Sequence, residues 1–450
     1  MSQYPIRRSQ SICGLRWLFE SSLSIFVTFV ISIICLPSSA SEAISVEAKI
    51  TSRDSRKETF YRKHREKLSE KITLDITIQS LEWSRNSELL AITGNEGIVQ
   101  IIDLDTERIA LEVTDAPNSF YFAWNPDSQY LAIIDALERL RIVEVSGQVE
   151  TFDLDLRYSS REIVSNILWS PNGDHLAVLT NRHDRGRIAM YAVRVLSKET
   201  YEQVAFLDVK GAACNLNWSP DSQYLVASSP TRQSNTQVLE LSTNSGVVLP
   251  GDSYPVRRVE WSPDSSYLVE VYGRSAQIFD ISSRELVLKI SNPEGIGGIR
   301  WSPDGERVAI LTDDGKLKMI SGRNLSAEAL FEYSGVSGSL VTWSPDSQSV
   351  VVKTSDSSFA ILDGSTGSEI LHTSEPGGAR LTSVEWSPTG QYISIISQDH
   401  AVTIFDAVTG ESVHRIEHGS KVYDAWWSPN GQYLATSALD DFRVIEVAEH

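Results

Sequence analysis

Cysteine is scarce in this 450-residue chain, which has only Cys13, Cys35 and Cys214. Two of them fall in the first forty residues, read below as a leader, so the mature chain holds one thiol and no internal disulfide. The same count excludes cysteine ligation of zinc. Positive charge is also short: 40 Lys and Arg stand against 59 Asp and Glu, a net charge of −19. Duplex binding draws affinity from counterions released off phosphates and needs a basic footprint, so no nucleic-acid partner is expected. Attraction to an anionic membrane surface is equally disfavoured. No nucleophile-elbow sequence is present, and Gly295-Ile296-Gly297-Gly298 has the wrong spacing for a phosphate-binding loop. Of eight histidines only His414 and His418 lie close together, with nothing nearby beyond Glu411 and Glu417 to complete a metal set. These absences leave no catalytic residue, metal site or cofactor to expect.

Apolar content is ample. Hydrophobic residues make up 41% of the chain, enough at this length to bury a large core and exclude wholesale disorder. The apolar run Leu23–Leu36 follows Arg7, Arg8 and Arg16 and precedes the small-residue stretch Ser38-Ser39-Ala40-Ser41. A basic start, a short apolar middle and a small-residue exit are the parts of a secretory signal peptide. Spanning a bilayer takes about 20 apolar residues, more than this run offers. Residues 1–40 are therefore read as a signal peptide cleaved near Ala40, or as an uncleaved anchor, and either places the body outside the cytoplasm. Residues 41–71 are polar with alternating charge, a spacer or short solvated helix.

From residue 80 one phrase returns: Trp83-Ser84, Trp124-Asn125-Pro126-Asp127, Trp169-Ser170-Pro171-Asn172-Gly173, Trp218-Ser219-Pro220-Asp221 and Trp261-Ser262-Pro263-Asp264. It continues at Trp301, Trp343, Trp386 and Trp427, with intervals of 41, 45, 49, 43, 40, 42, 43 and 41 residues. A period kept that long marks one structural unit stacked against its copies. Alternation before each Trp, as in Val259-Glu260-Trp261, predicts a strand with one buried face. Ser-Pro-Asp-Gly then turns the chain, since proline presets φ and Asp bonds its own backbone. A second strand follows, then a polar hairpin turn such as Asp313-Asp314-Gly315. A third strand ends on an acidic residue (Phe279-Asp280, Leu362-Asp363, Phe405-Asp406), and a fourth closes the unit. Four antiparallel strands per repeat form a propeller blade.

On these residues the chain resembles WD-repeat proteins, with Phe405-Asp406 and its counterparts at the Trp-Asp position. The Trp-Ser-Pro-Asp-Gly phrase is also similar to the repeats of periplasmic Tol-type propellers and of the propellers of prolyl oligopeptidases. The resemblance covers residues 72–450. It departs from the WD pattern where the opening Gly-His pair is missing, with only His418-Gly419 near it, and at Tyr191-Ala192 and Met319-Ile320, which lack the acid. The expected fold is all-β: a single β-propeller of nine four-stranded blades, or eight plus a collapsed repeat. The last repeat has three strands, and Lys71–Asp75 supplies the fourth, sealing the ring without a frayed edge.

The nine tryptophans are packing residues on inner strands: each buries roughly 200 Å², worth at most about 5 kcal/mol gross. The recurring acids are strand-end turn partners. Trp426 points to the other face from Trp427, toward packing or a surface contact. Function on a rigid scaffold resides in its loops, and residues entering the inner strands are the candidate partner contacts: Phe120, Tyr121, Tyr254, Arg257, Arg258, Arg300, Arg380, Lys421 and Tyr423. Aromatics and arginines favour binding hot spots. The expected function is an extracytoplasmic, non-catalytic protein-interaction scaffold, a monomeric ring touching membrane only through an uncleaved leader. The alternatives are a propeller enzyme or small-molecule or metal binder using the channel, and a Tol-like envelope component.

Overall fold

In a computed structural model of the chain, the described residues run from 68 to 447, apart from 75–77, 95–97, 114–120, 135–138, 146–153, 156–161, 185–186, 210–214, 229–235, 252–253, 339 and 440. The leader and most of the spacer lie outside this range. The described residues contain no helix. They form nine sheets of four antiparallel strands, one for each Trp phrase, so the collapsed-repeat alternative is set aside. Blade 1 is Ile78–Trp83, Leu89–Gly94, Val99–Asp103 and Arg108–Val113, and each later blade repeats this order around the next Trp. First strands of neighbouring blades touch, which puts them innermost. Fourth strands such as Leu286–Ser291 and Glu369–Ser374 lie largely open at the rim.

Blade 9 comprises Val422–Trp427, Tyr433–Ala438 and Phe442–Val447, and takes its outer strand from Leu68–Leu74. The closing strand starts three residues earlier than Lys71, because pairing with Phe442–Val447 runs from Leu68 opposite Val447 to Leu74 opposite Phe442.

The core is divided rather than central. Nine apolar clusters each join residues of two adjacent blades, so every seam between blades is a small sandwich. Eight of the phrase tryptophans are only 4–9% exposed, and Trp386 is half-buried. The indole N–H of Trp124 donates to the Glu82 carbonyl of the preceding blade at 3.0 Å, and that of Trp218 to Leu168 at 3.1 Å. Trp83 donates to the Trp426 carbonyl at 3.2 Å, carrying the same latch across the ring closure. Trp427 bonds the Ser394 hydroxyl instead, at 3.0 Å, and the Trp301 indole N–H has no partner among the described residues. Aromatic rings on the second strand of one blade stack on the next tryptophan, as in Tyr433 with Trp83 and Tyr267 with Trp301.

The turn after each Trp explains the rest of the phrase. The Ser262 hydroxyl donates to Asp264 at 2.5 Å while accepting the Tyr267 N–H at 2.9 Å, and Asp264 accepts the Ser266 N–H at 3.0 Å. Burial works to raise the Asp264 carboxyl, but these hydrogen bonds outweigh it and hold it below the usual range. The fifth position lies in the left-handed region in every blade. Gly173, Gly305, Gly390 and Gly431 fill it in four blades, with φ of 73–78°. The other five use serine at φ of 63–65°: Ser87, Ser128, Ser222, Ser265 and Ser347. A side chain there is strained, yet each of the five hydroxyls accepts a backbone N–H from the preceding blade, at 2.9–3.1 Å. Glycine avoids the strain and serine ties the seam. Ser265→Ala and Ser265→Gly both take the acceptor from the Asp221 N–H, but only the alanine variant keeps the strain. The alanine variant is expected to be less stable than the glycine variant by about 1 kcal/mol in urea unfolding.

The acids closing the third strands are turn partners as expected. Asp363 accepts the Ser365 and Thr366 N–H groups at 2.9 and 2.8 Å, and Asp406 those of Val408 and Thr409. Hydrogen bonding from Ser365 first, and from Thr366, lowers the Asp363 carboxyl to about 2.

Candidate functional site

Because strands alternate in direction, the ring has two unlike ends. One carries the Ser-Pro-Asp turns and the turns after the third strands. The other carries the loops that enter each first strand, together with the turns between second and third strands. The candidate contacts belong to the loop end or to the first strands below it.

Phe120 lies outside the described residues. Tyr121 is partly buried against the blade 2–3 seam, and its carbonyl accepts the Ile134 N–H at 2.9 Å. Tyr254 is 62% exposed ahead of blade 5. Arg257 is exposed, and its guanidinium lies over Gly273, where a β-carbon would meet it at 3.4 Å. Arg258 and Arg300 are half-buried on first strands. Arg300 is held by Glu260 at 3.0 Å and by the Ile299 carbonyl, so it braces the seam rather than offering itself at the surface. Arg380 faces Asp356 at 3.4 Å. On blade 9 the Lys421 ammonium stands 5.8 Å from the centre of the exposed Tyr423 ring, and the Lys421 carbonyl accepts the Leu439 N–H. Tyr254 and Arg257 thus both precede the first strand of blade 5, while Arg380 precedes that of blade 8 and the Lys421–Tyr423 pair opens that of the adjoining blade 9. Trp426 is half-buried against the blade 9–1 seam, which settles it as packing.

Inner-strand carboxylates cap the open edge that first strands present to the channel. Glu82 reaches the Trp124 N–H at 3.4 Å and Glu260 the Trp301 N–H at 3.0 Å. Burial pushes Glu260 up to about 7 against the lowering influence of the Trp301 N–H and Arg258. Burial, then the charge of Asp424, pushes Glu385 to about 7 as well. A carboxyl raised in the folded state stabilises it most below its unfolded value and loses that contribution as pH rises from about 4.5 to about 7. Glu385→Gln is accordingly expected to stabilise the protein at pH 8 by on the order of 2 kcal/mol and to change little at pH 5. Urea unfolding at the two pH values checks this.

A buried cluster that the sequence reading did not find lies between blades 8 and 9. The His418 ring bonds Asp441 through Nδ1 and the Thr436 hydroxyl, 3.1 Å away, through Nε2. Burial alone would raise the Asp441 carboxyl, but His418 and Arg443, the latter at 2.8 Å, hold it below the usual range. A hydroxyl, an imidazole and a carboxylate in line make up a nucleophile–base–acid triad. Here Thr436 is fully buried and His418 only 7% exposed, so no substrate reaches the hydroxyl and the arrangement pins a loop to two strands. Blade 8 performs the same task differently: Glu375 accepts from Thr403 at 2.7 Å and from Arg415, which also binds Asp399. His418 and Thr436 stand nine residues before and after Trp427, and Asp441 five further on. That spacing was the available signal, and a search for neighbouring metal ligands passes over it. Among the described residues no group of three or more His, Cys, Asp or Glu side chains is placed to hold a metal ion.

Comparison with known proteins agrees with this geometry. The family model for the WD domain, G-beta repeat, matches residues 410–444, the stretch holding His418, Thr436 and Asp441. The WD repeat-containing protein AAC3 of Dictyostelium discoideum is 24% identical over 159 residues, 34% of this chain. That match spans about a third of the relative's own length (32%). The C-terminal WD40 domain of Sif2 superposes with a TM-score of 0.54 at 15% identity, covering 85% of this chain and 99% of that domain. The computationally designed Ika8 protein gives 0.52 at 13% identity, covering 83% and 97%. In fold the chain is a nine-bladed β-propeller, and in sequence the repeat around Trp427 is similar to the WD repeat.

Proposed function

We propose that this propeller is a non-catalytic platform that binds a protein partner through its loop end, outside the cytoplasm. The observation carrying this reading is the placement of exposed aromatics. Tyr254 and Tyr423, 62% and 41% exposed, are the well-exposed aromatic rings among the described residues, and both enter first strands at that end. Each has a basic residue close by in sequence, Arg257 and Lys421, and such aromatic–basic pairs are favoured where partners dock. Support for an extracytoplasmic site comes only from the leader-like residues 1–40. Lys421 also provides an amine for cross-linking beside Tyr423. Cross-linking mass spectrometry in the native compartment is expected to join Lys421 to one recurring partner. The Tyr254→Ala, Tyr423→Ala double variant is expected to lose at least tenfold in affinity for that partner with an unchanged unfolding midpoint. Cross-links confined to the Ser-Pro-Asp end, or full affinity in the double variant, reject the proposed face. Tyr121 is a poorer test, because its ring supports the blade 2–3 seam.

A further inference from the structure

The seam between blades 4 and 5 encloses a group of buried oxygen atoms that are incompletely hydrogen-bonded among the described residues. Glu270, on the second strand of blade 5, is fully buried, and its cross-strand partner Gln277 is 4% exposed. Opposed residues on adjacent strands hold their β-carbons about 5 Å apart on the same face of the sheet. Thr236, fully buried ahead of the third strand of blade 4, turns its hydroxyl toward Glu270. Among the described residues, Glu270 Oε1, Gln277 Oε1 and Thr236 Oγ1 have no hydrogen-bond partner within 3.5 Å, though the Thr236 hydroxyl stands close enough to favour the Glu270 carboxylate. The other carboxylate oxygen accepts the Tyr272 hydroxyl. A β-carbon on Gly251 would lie 2.9 Å from that hydroxyl and 3.6 Å from Glu270 Oε2, so glycine keeps this side of the group open.

Surrounding side chains such as Val226, Leu249, Val259 and Leu268 are apolar. Leaving an ionised carboxylate unpaired in such a place is costly, and unsatisfied carbonyl and hydroxyl oxygens add to the cost. No Lys, Arg or His among the described residues pairs with Glu270; burial raises its carboxyl, and only Thr236 and Tyr272 oppose that. We propose that Glu270, Gln277 and Thr236 bind a monovalent metal cation, sodium or potassium, in this seam. The donors are all hard oxygens, the kind that alkali and alkaline-earth ions select. They carry one negative charge between them, which balances a monovalent ion and would leave a divalent one half-neutralised in apolar surroundings. Binding needs the carboxylate form, so the ion competes with a proton.

The test uses the whole protein at fixed ionic strength. At pH 8, unfolding in potassium or sodium chloride is expected at a midpoint about 2 °C or more above that in choline chloride, since a ligand held only by the folded state raises stability. The difference should shrink toward pH 5 and vanish in Glu270→Gln. Gln277→Leu, which leaves the carboxylate in place, should weaken it. Thallium(I) soaked into crystals should give an anomalous peak between Glu270 and Gln277. Equal midpoints in all three chlorides at pH 8, with no thallium peak, overturn the proposal and leave Glu270 as a buried neutral acid. This outcome does not bear on the partner-binding face.

Discussion

Replacing Ile72 by aspartate is expected to open the ring and cost about 3–5 kcal/mol. Ile72 is 9% exposed and belongs to the cluster of Ile78, Leu81, Trp83, Phe442 and Val444, where blade 9 meets blade 1. It sits opposite Val444, next to a break in register after Glu70. A carboxylate at this point is buried among apolar side chains, and the closing strand has no covalent connection to the blade it completes. Once that strand leaves, Phe442–Val447 becomes an unpaired edge. Guanidinium unfolding followed by tryptophan fluorescence should show the loss, and limited proteolysis should cut ahead of Ile78 in the variant before any other site. A variant as stable and protease-resistant as the parent would mean that the ring does not depend on this strand.

The second large effect concerns the tryptophan latch. Trp124→Ala removes a ring that fills the blade 1–2 seam with Phe122, Leu131, Ile133 and Ile101, and a loss of about 3–5 kcal/mol is expected. Trp124→Phe separates packing from hydrogen bonding. It retains most of the apolar surface but leaves the Glu82 carbonyl without its donor, adding about 1 kcal/mol to the packing loss. Trp301 serves as the internal control, being 6% exposed with an indole N–H that has no partner. Trp301→Phe should therefore cost about 1 kcal/mol less than Trp124→Phe in the same denaturant series. Equal losses at the two sites would reduce the latch to packing alone.

Much of this architecture was legible because the repeat states its own geometry. A tryptophan at a near-constant interval, followed by a proline-acid turn, specifies where a first strand ends and a second begins. The count of phrases gave the count of blades, and the missing fourth strand of the last repeat pointed to the chain's beginning. Legibility failed where partners are distant in sequence. Serine at the fifth turn position reads as a tolerated substitute for glycine, and nothing in one repeat reveals that Ser265 accepts the N–H of Asp221 forty-four residues earlier. The bond from His418 to Asp441 likewise depends on two turns meeting above a seam. Among the candidate contacts, residue type and position could not separate Arg300, committed to Glu260, from Arg257, which lies at the surface.

Leu68 and Val447 face each other as the first pair of an antiparallel ladder. The polypeptide thus enters and leaves the ring side by side, at the rim of the end bearing the Ser-Pro-Asp turns. A tether on either side of the ring would hang it by that rim with the opposite end turned outward. Tension between the two sides would load the ladder one rung at a time, as a zipper is drawn, the geometry in which paired strands yield at low force.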